Sequence, residues 1–358
     1  MISTHDRIQL LAEVCALPSA AKWLGNITAQ DLHAWLEAEL GSDAALDDFQ
    51  AHGPIQSKAI APTHILHIVS GNTPHAALQS LIRGLLLGSS NTFKIPSAGL
   101  ADFSECVSAL PDALNNLVRL TQSIEQHHWQ QADAVIAIGS DEAVADIHQK
   151  TLPHQTFIAH GHKISMGIVY DDFKEAARLA ARDVSLYNQR GCLSPHAIYV
   201  KGESDSFAEL LAQEMKIFAQ HHPPEPISLS EAGLVRNLRE TTCFRSANDP
   251  SIRIWQSNDS LDWTVIAESS PLLKLSCLNR CVYVKPLPSS LSSSALGAEA
   301  QHLSTIAIHP FSNATANSLS DLPAHRICPL GMSQQPSLFW HHDGFAPLAS
   351  LVKWTDIG

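Results

Sequence analysis

The sequence predicts an α/β protein built as two sizeable domains, with parallel sheets covered by helices. Three observations carry this expectation. A chain of 358 residues exceeds what one ordinary core holds. Hydrophobic residues make up 45% and charged residues 16%, enough apolar material for real cores and too little charge for a disordered chain. From residue 64 onward, short apolar runs alternate with stretches of helical periodicity, the pattern of strand–helix–strand units.

In chain order, residues 5–50 read as two or three helices, because Ile8, Leu11 and Val14, then Leu32, Trp35 and Leu36, recur at helical spacing. The run ILHIVS from residue 65 is a short buried strand. The turn SGNTP follows, then a helix over about 75–87, then the strand NTFKI. A second unit has a helix near 97–110, the strand DAVIAIGS at 133–140 and a helix over 141–150. The strand QTFIAHG leads into HKISMGIVY, and a helix over about 172–187 ends at NQRGCLSP. A strand at 196–202 and a helix over about 205–219 continue the alternation, opening a second domain. HHPPEP at 221–226 reads as a rigid connector, and LPSSLSSSALG at 287–297 as a Ser-rich loop, mobile and near a domain junction. Ligands of such sheets sit at the carboxyl ends of the strands.

The formal net charge is -12 without a dense Lys/Arg tract, which gives no electrostatic support to a nucleic-acid or anionic-membrane partner. An acidic carrier would need a local basic patch. The N-terminus carries Asp6 and Glu13 through its apolar stretch and reads as an amphipathic helix, not a signal peptide. The longest apolar run, around Leu81 to Leu87, is interrupted by Arg83 and is far short of the roughly 20 residues of a membrane span. Seven irregularly spaced cysteines fit a reducing compartment, so cytoplasm is expected.

Cys192 is the best nucleophile candidate. It lies in a loop directly after a helix, between Gly191 and Leu193, and Pro195 stops helical continuation. A thiolate attacks acyl donors, and the acyl-cysteine it forms is the same class of bond as a coenzyme A thioester, so the exchange is close to neutral. The alternative is a small buried apolar residue, the fate of most unpaired cysteines. The pairs His127/His128, His221/His222 and His341/His342 lack zinc-site spacing with nearby cysteines, and Cys277 and Cys281 lack a second pair; no metal is expected.

The ordered motifs SGNTP, NTFKIPS, AIGSDE, HGHKIS and NQRGCLSP resemble the aldehyde dehydrogenase superfamily. GCLSP and the ending RICPLGMSQQPSLFWHHDGFAPLASLVKWTD resemble, more closely, the LuxC-type acyl-CoA reductases. The resemblance runs from about residue 60 to the C-terminus. It implies an aldehyde dehydrogenase-like fold of two α/β domains with the active site in the cleft between them. Residues 1–162 would form the N-terminal helices and nicotinamide cofactor domain, 163–335 the catalytic domain and 336–358 a C-terminal segment. Position by position, it implies Cys192 as acyl-accepting nucleophile and Asn72 as the oxyanion-holding amide, which on its own would read as a turn residue before Pro74. It implies Lys94 at the adenosine ribose, Gly139 and Ser140 against the cofactor diphosphate, and Glu268, more weakly, at the nicotinamide ribose.

Ser97 stands where NAD-preferring relatives often carry a glutamate; a small neutral residue there admits a 2′-phosphate, which points to NADPH. Asp141 and Glu142 at the following helix start would oppose close phosphate approach and loosen the grip. Hydrolytic members place a glutamate where Ala159 stands; without that base, the acyl-enzyme should persist for reduction. His160 and His162 are candidates for a proton relay. The implied partner is an acyl-CoA or acyl-carrier thioester, with an acyl-transferring or synthetase protein and a homo-oligomer also expected. Two alternatives stand beside this: an acyl-phosphate reductase using the same cysteine, and a non-catalytic acyl-binding subunit.

Overall fold

The computed structural model describes residues 2–69 and 73–358. The chain divides into two compact units, one comprising residues 1–162 and 337–358, the other residues 163–336.

The first unit opens with α1 (Thr4–Cys15), α2 (Pro18–Leu24) and α3 (Ala29–Leu40). Ser3 caps α1, Pro18 begins α2 where a missing N–H costs nothing, and Thr28 with Asp31 forms a capping box on α3. Gly41 ends α3 at φ 76°, the left-handed conformation that glycine adopts without a side-chain clash. Then come β1 (Gln50–His52), β2 (Ile55–Ile60), β3 (His64–Ile68), α4 (Pro74–Leu86), β4 (Ser90–Lys94), α5 (Ala101–Ser108), α6 (Asp112–Asn115), β5 (Val118–Thr121), α7 (Gln126–Gln131), β6 (Ala134–Ile138), α8 (Asp141–Lys150) and β7 (Thr156–His160).

Strands β3 to β7 form a parallel sheet in the order β5-β4-β3-β6-β7. The chain winds outward in one direction from β3 and then resumes on its other side at β6. That reversal opens a crevice at the carboxyl ends of β3 and β6, where dinucleotides bind in doubly wound sheets. Leu78, Leu81, Leu85, Phe93 and Phe103 are fully buried between α4, α5 and the sheet. Apolar burial of this kind is worth roughly 1.5–3 kcal/mol per large side chain.

The second unit contains β8 (Ile164–Val169), α9 (Phe173–Ser185), β9 (Pro195–Val200), α10 (Ser204–His221), α11 (Leu229–Asn248), β10 (Arg253–Gln256), β11 (Thr264–Ala267), β12 (Cys281–Pro286), α12 (Ser293–Leu296), β13 (Leu303–His309), α13 (Asn313–Asn317) and β14 (Arg326–Pro329). Its sheet runs β10-β11-β12-β9-β8-β13-β14, parallel except for the antiparallel edge strand β10. Every residue of β8 and β9 is buried, as expected for central strands covered on both faces. Ala176, Ala177, Ala180 and Ala181 of α9 and Phe207, Leu211 and Met215 of α10 pack over one face.

The chain then returns to the first unit, where β15 (Lys353–Ile357) pairs antiparallel with β2. Glu39 pins this return: its carboxylate accepts the backbone N–H groups of Leu348 at 2.6 Å and Ala349 at 2.9 Å. The Ser-rich stretch lies within the second unit, where Ser292 caps α12 and Leu296 is fully buried in the core. Among the described residues, no helix is long and apolar enough to cross a membrane.

Candidate active site

Cys192 occupies the turn between α9 and β9. Immediately before it, Tyr187, Asn188 and Gln189 all have positive φ, 53°, 52° and 61°. Left-handed backbone costs a non-glycine residue about 1–2 kcal/mol, so three in succession persist only where surrounding bonds enforce them. Gln189 supplies those bonds. Its fully buried amide donates to Pro195 O at 2.9 Å and Cys281 O at 2.8 Å and accepts from Cys281 N at 2.9 Å. A matching run, Leu278, Asn279 and Arg280, also has positive φ, and Asn279 N–H donates to Asn188 O at 3.1 Å. The two strained turns therefore brace each other at the amino ends of β9 and β12.

The loop is held from other sides as well. Ser165 Oγ donates to Cys192 O at 2.7 Å. Gln334 donates to Ser194 Oγ and, at 3.2 Å, to Asp183 O. A Cβ on Gly191 would stand 3.2 Å from Gln334 Oε1, so the backbone rests directly on that side chain. Asp183 in turn accepts Gly331 N–H at 2.7 Å and Ser333 N–H at 3.2 Å. Burial pushes its carboxyl up to about 6, against the opposing pull of those two backbone donors. The result is a fixed backbone frame with the cysteine exposed upon it. The buried Cys15, Cys106 and Cys328, by contrast, have thiols pushed up to about 12, 11 and 12 by desolvation, which keeps them protonated and inert.

The first unit gathers Lys94, Ser97, Gly139, Ser140, His160 and His162 at one edge of its sheet. Lys94 ends β4 and is half-buried, and Ser97 lies exposed in the turn that follows. Gly139 and Ser140 link β6 to α8, with Gly139 N–H donating to His160 O at 3.1 Å. Ser140 Oγ caps α8 by accepting Ala143 N–H at 3.3 Å. Asp141 turns aside and accepts His162 N–H at 2.7 Å; a Cβ on Gly161 would come within 2.4 Å of its Oδ1, so a larger residue there would push that carboxylate aside. The donor set at this edge fits a dinucleotide: a cation at the end of β4 and a helix start at the end of β6 flank the sheet's reversal point. Asn72 lies outside the described residues.

Glu268 is not brought to Cys192. It follows β11 at the carboxyl end of the second unit's sheet, level by register with Lys285 and Tyr199, whereas Cys192 precedes the amino end of β9. The rise from Pro195 to Tyr199 alone is about 13 Å. Its buried carboxylate is engaged by Lys285, by Lys274 at 2.7 Å and by Arg245 at 3.6 Å. Burial pushes the carboxyl upward, but Lys274 and Lys285 outweigh it and hold the group below its ordinary range. These surroundings make Glu268 the centre of an ion cluster in the second unit.

Two residues that local spacing does not reveal join His160. His160 Nδ1 lies 2.8 Å from Asp343 Oδ2, and the ring of His342 stacks on that of His160 at 3.9 Å. These three offer ligand-capable atoms within 4.8 Å of one another, a grouping hidden by the 183-residue separation of His160 and Asp343.

The two sheets and the elements between them are those of an aldehyde dehydrogenase fold. The structure of a γ-glutamyl-γ-aminobutyraldehyde dehydrogenase from Burkholderia cenocepacia J2315 superimposes with a TM-score of 0.73 at 13% identity, covering 99% of this chain and 84% of that one. An aldehyde dehydrogenase from Pseudomonas syringae, solved with NAD+ and octanal, gives 0.69 at 12% identity, covering 99% and 84%. Residues 13–354 match the family described as acyl-CoA reductase (LuxC), and the chain belongs to that family. It is similar to long-chain acyl-protein thioester reductase 2 of Photobacterium leiognathi, 25% identical over 354 residues that span 93% of this chain and 72% of the relative.

Proposed function

We propose that this chain reduces an acyl thioester, carried on coenzyme A or on a protein, to the aldehyde through a covalent thioester on Cys192, with NADPH as reductant. The observation that carries the reading is the exposed Cys192 on a backbone frame held by Ser165, Gln189 and Gln334. The Cys192 thiolate attacks the carbonyl carbon, and collapse of the tetrahedral adduct expels the donor's thiolate, which takes up a proton. Asn72 is assigned to the oxyanion of that adduct by resemblance. Reduced nicotinamide, when bound, supplies the hydride that converts the acyl group to the oxidation level of an aldehyde.

Lys94, Gly139 and Ser140 would hold the dinucleotide, and the exposed Ser97 leaves room for a 2′-phosphate. Ala159, next to last in β7, provides no carboxylate to activate water there, which favours survival of the thioester. The donor is proposed to be a long-chain acyl group by analogy with the relatives, and the reaction is placed in the cytoplasm. Intact-protein mass spectrometry with a panel of acyl-CoA donors tests the core of this reading. A gain of one acyl group that Cys192→Ala abolishes, and that NADPH discharges as aldehyde, supports it. No adduct from any thioester donor overturns it, and an adduct formed only from acyl phosphates moves the activity to that substrate class. Ser97→Glu should shift preference from NADPH towards NADH by about 10-fold or more through charge repulsion.

A further inference from the structure

The end of β7 carries a cluster for which the proposed reduction has no metal-binding role. His160 closes that strand, while His342 and Asp343 arrive on the returning segment. All three are buried, at 4%, 8% and 7% exposure. Both imidazoles converge on one carboxylate oxygen: His160 Nδ1 is 2.8 Å and His342 Nε2 3.7 Å from Asp343 Oδ2. The other oxygen, Asp343 Oδ1, is buried and has no hydrogen-bond partner among the described residues. Asp343 also holds φ at 52°. A buried carboxylate oxygen without a partner carries a desolvation cost, which a bound cation would offset.

We propose that His160, His342 and Asp343 form a site for one divalent transition ion of the zinc class. Two imidazole nitrogens and one carboxylate oxygen are a borderline donor set that prefers Zn2+ or Co2+ to Ca2+ or Mg2+. Donor separations of 2.8 and 3.7 Å lie on either side of the roughly 3.3 Å expected across a tetrahedral ion with bonds of about 2.0–2.1 Å, and seating the ion requires the two imidazoles, stacked at 3.9 Å, to splay apart. Trp340 stacks on His342 at 4.7 Å and walls one side, leaving the fourth position to water. The ion ties residues 337–358 to the end of β7. That edge also holds Gly139 through its bond to His160 O, so the metal stiffens the loop between β6 and α8. This site is expected in the chain whether or not the acyl-reductase reading holds.

The test uses the full chain, stripped with a chelator, loaded with Zn2+ or Co2+, desalted and assayed for retained metal. The native chain and the exposed-neighbour control His341→Gln should each retain about one ion. Asp343→Asn and His342→Gln should bind more weakly by more than the roughly 10–100-fold that loss of an outer-shell partner costs. Equal retention by native chain and both variants, or Mg2+ competing on par with Zn2+, overturns the site. Should the variants not fold, the native chain decides: a Co2+ visible spectrum of a tetrahedral nitrogen–oxygen site, displaced by Zn2+, supports the proposal, and its absence refutes it.

Discussion

Replacing Gln189 by leucine isolates the brace under the Cys192 loop. Leucine has similar bulk but can replace none of three hydrogen bonds, two donated to Pro195 O and Cys281 O and one accepted from Cys281 N. At about 1 kcal/mol net each, their loss costs about 3 kcal/mol, and nearer 5 if the buried partners stay unsatisfied. For a unit of this size, 3 kcal/mol lowers the melting temperature by roughly 6–12 °C. Relaxation of Tyr187, Asn188 and Gln189 out of left-handed backbone returns part of that energy, but at the expense of the loop's geometry. Urea unfolding would measure the first effect. Peptide-mapped alkylation of Cys192 and the initial rate of acyl transfer to it, both in the still-folded variant, would measure the second. A variant destabilised by several kcal/mol that acylates Cys192 at the native rate would refute a positioning role of Gln189 for the proposed nucleophile.

Glu268→Gln should destabilise the second unit by about 3–5 kcal/mol, because Lys285, with no exposed side-chain surface, loses its carboxylate partner. Calorimetry measures this, and an unchanged KM for NADPH should accompany it; replacing both Glu268 and Lys285 by methionine should come out near neutral. Gly161→Ala brings a methyl to within 2.4 Å of Asp141 Oδ1 and should cost about 1–3 kcal/mol in denaturation. Adding Asp141→Ala should recover part of that loss. His67 is held neutral by burial, with its imidazole pushed down to about 3, between Ser80 and Asn91 and stacked on Phe93. The unfolded chain takes up a proton near pH 6.5 while the folded one does not, so His67 costs stability as pH falls below 6.5 towards 3. Between pH 7 and 5 its share is about 2 kcal/mol, and the stability difference between native and His67→Gln should shrink by that amount in urea titrations.

Much of the first unit was legible because its signals are local. Apolar period and bounding turns place β3, α4, β4, β6 and α8 near the ranges read from sequence. The helix read over 97–110 is shorter, Ala101–Ser108, because Gly99 at φ 76° keeps the preceding turn open. α11 gave almost no amphipathic signal, since Leu229, Leu234 and Phe244 point outward and only a few positions are buried. The short strands β5 and β10 owe their existence to neighbours already in the sheet.

The candidate site divides in the same way. Sequence alone determined the setting of Cys192, the α/β class and the family resemblance, because a cysteine before a strand and an ordered series of turn motifs are written in consecutive residues. The tertiary structure decided what those residues touch. It bound Gln189 to the start of β12, carried Glu268 to the opposite edge from Cys192, and closed Asp343 and His342 on His160. Hydrogen bonds, ion pairs and metal-ligand sets depend on distances of a few ångströms between residues far apart in the chain. Only the packing of the sheets and the path of the returning segment set those distances.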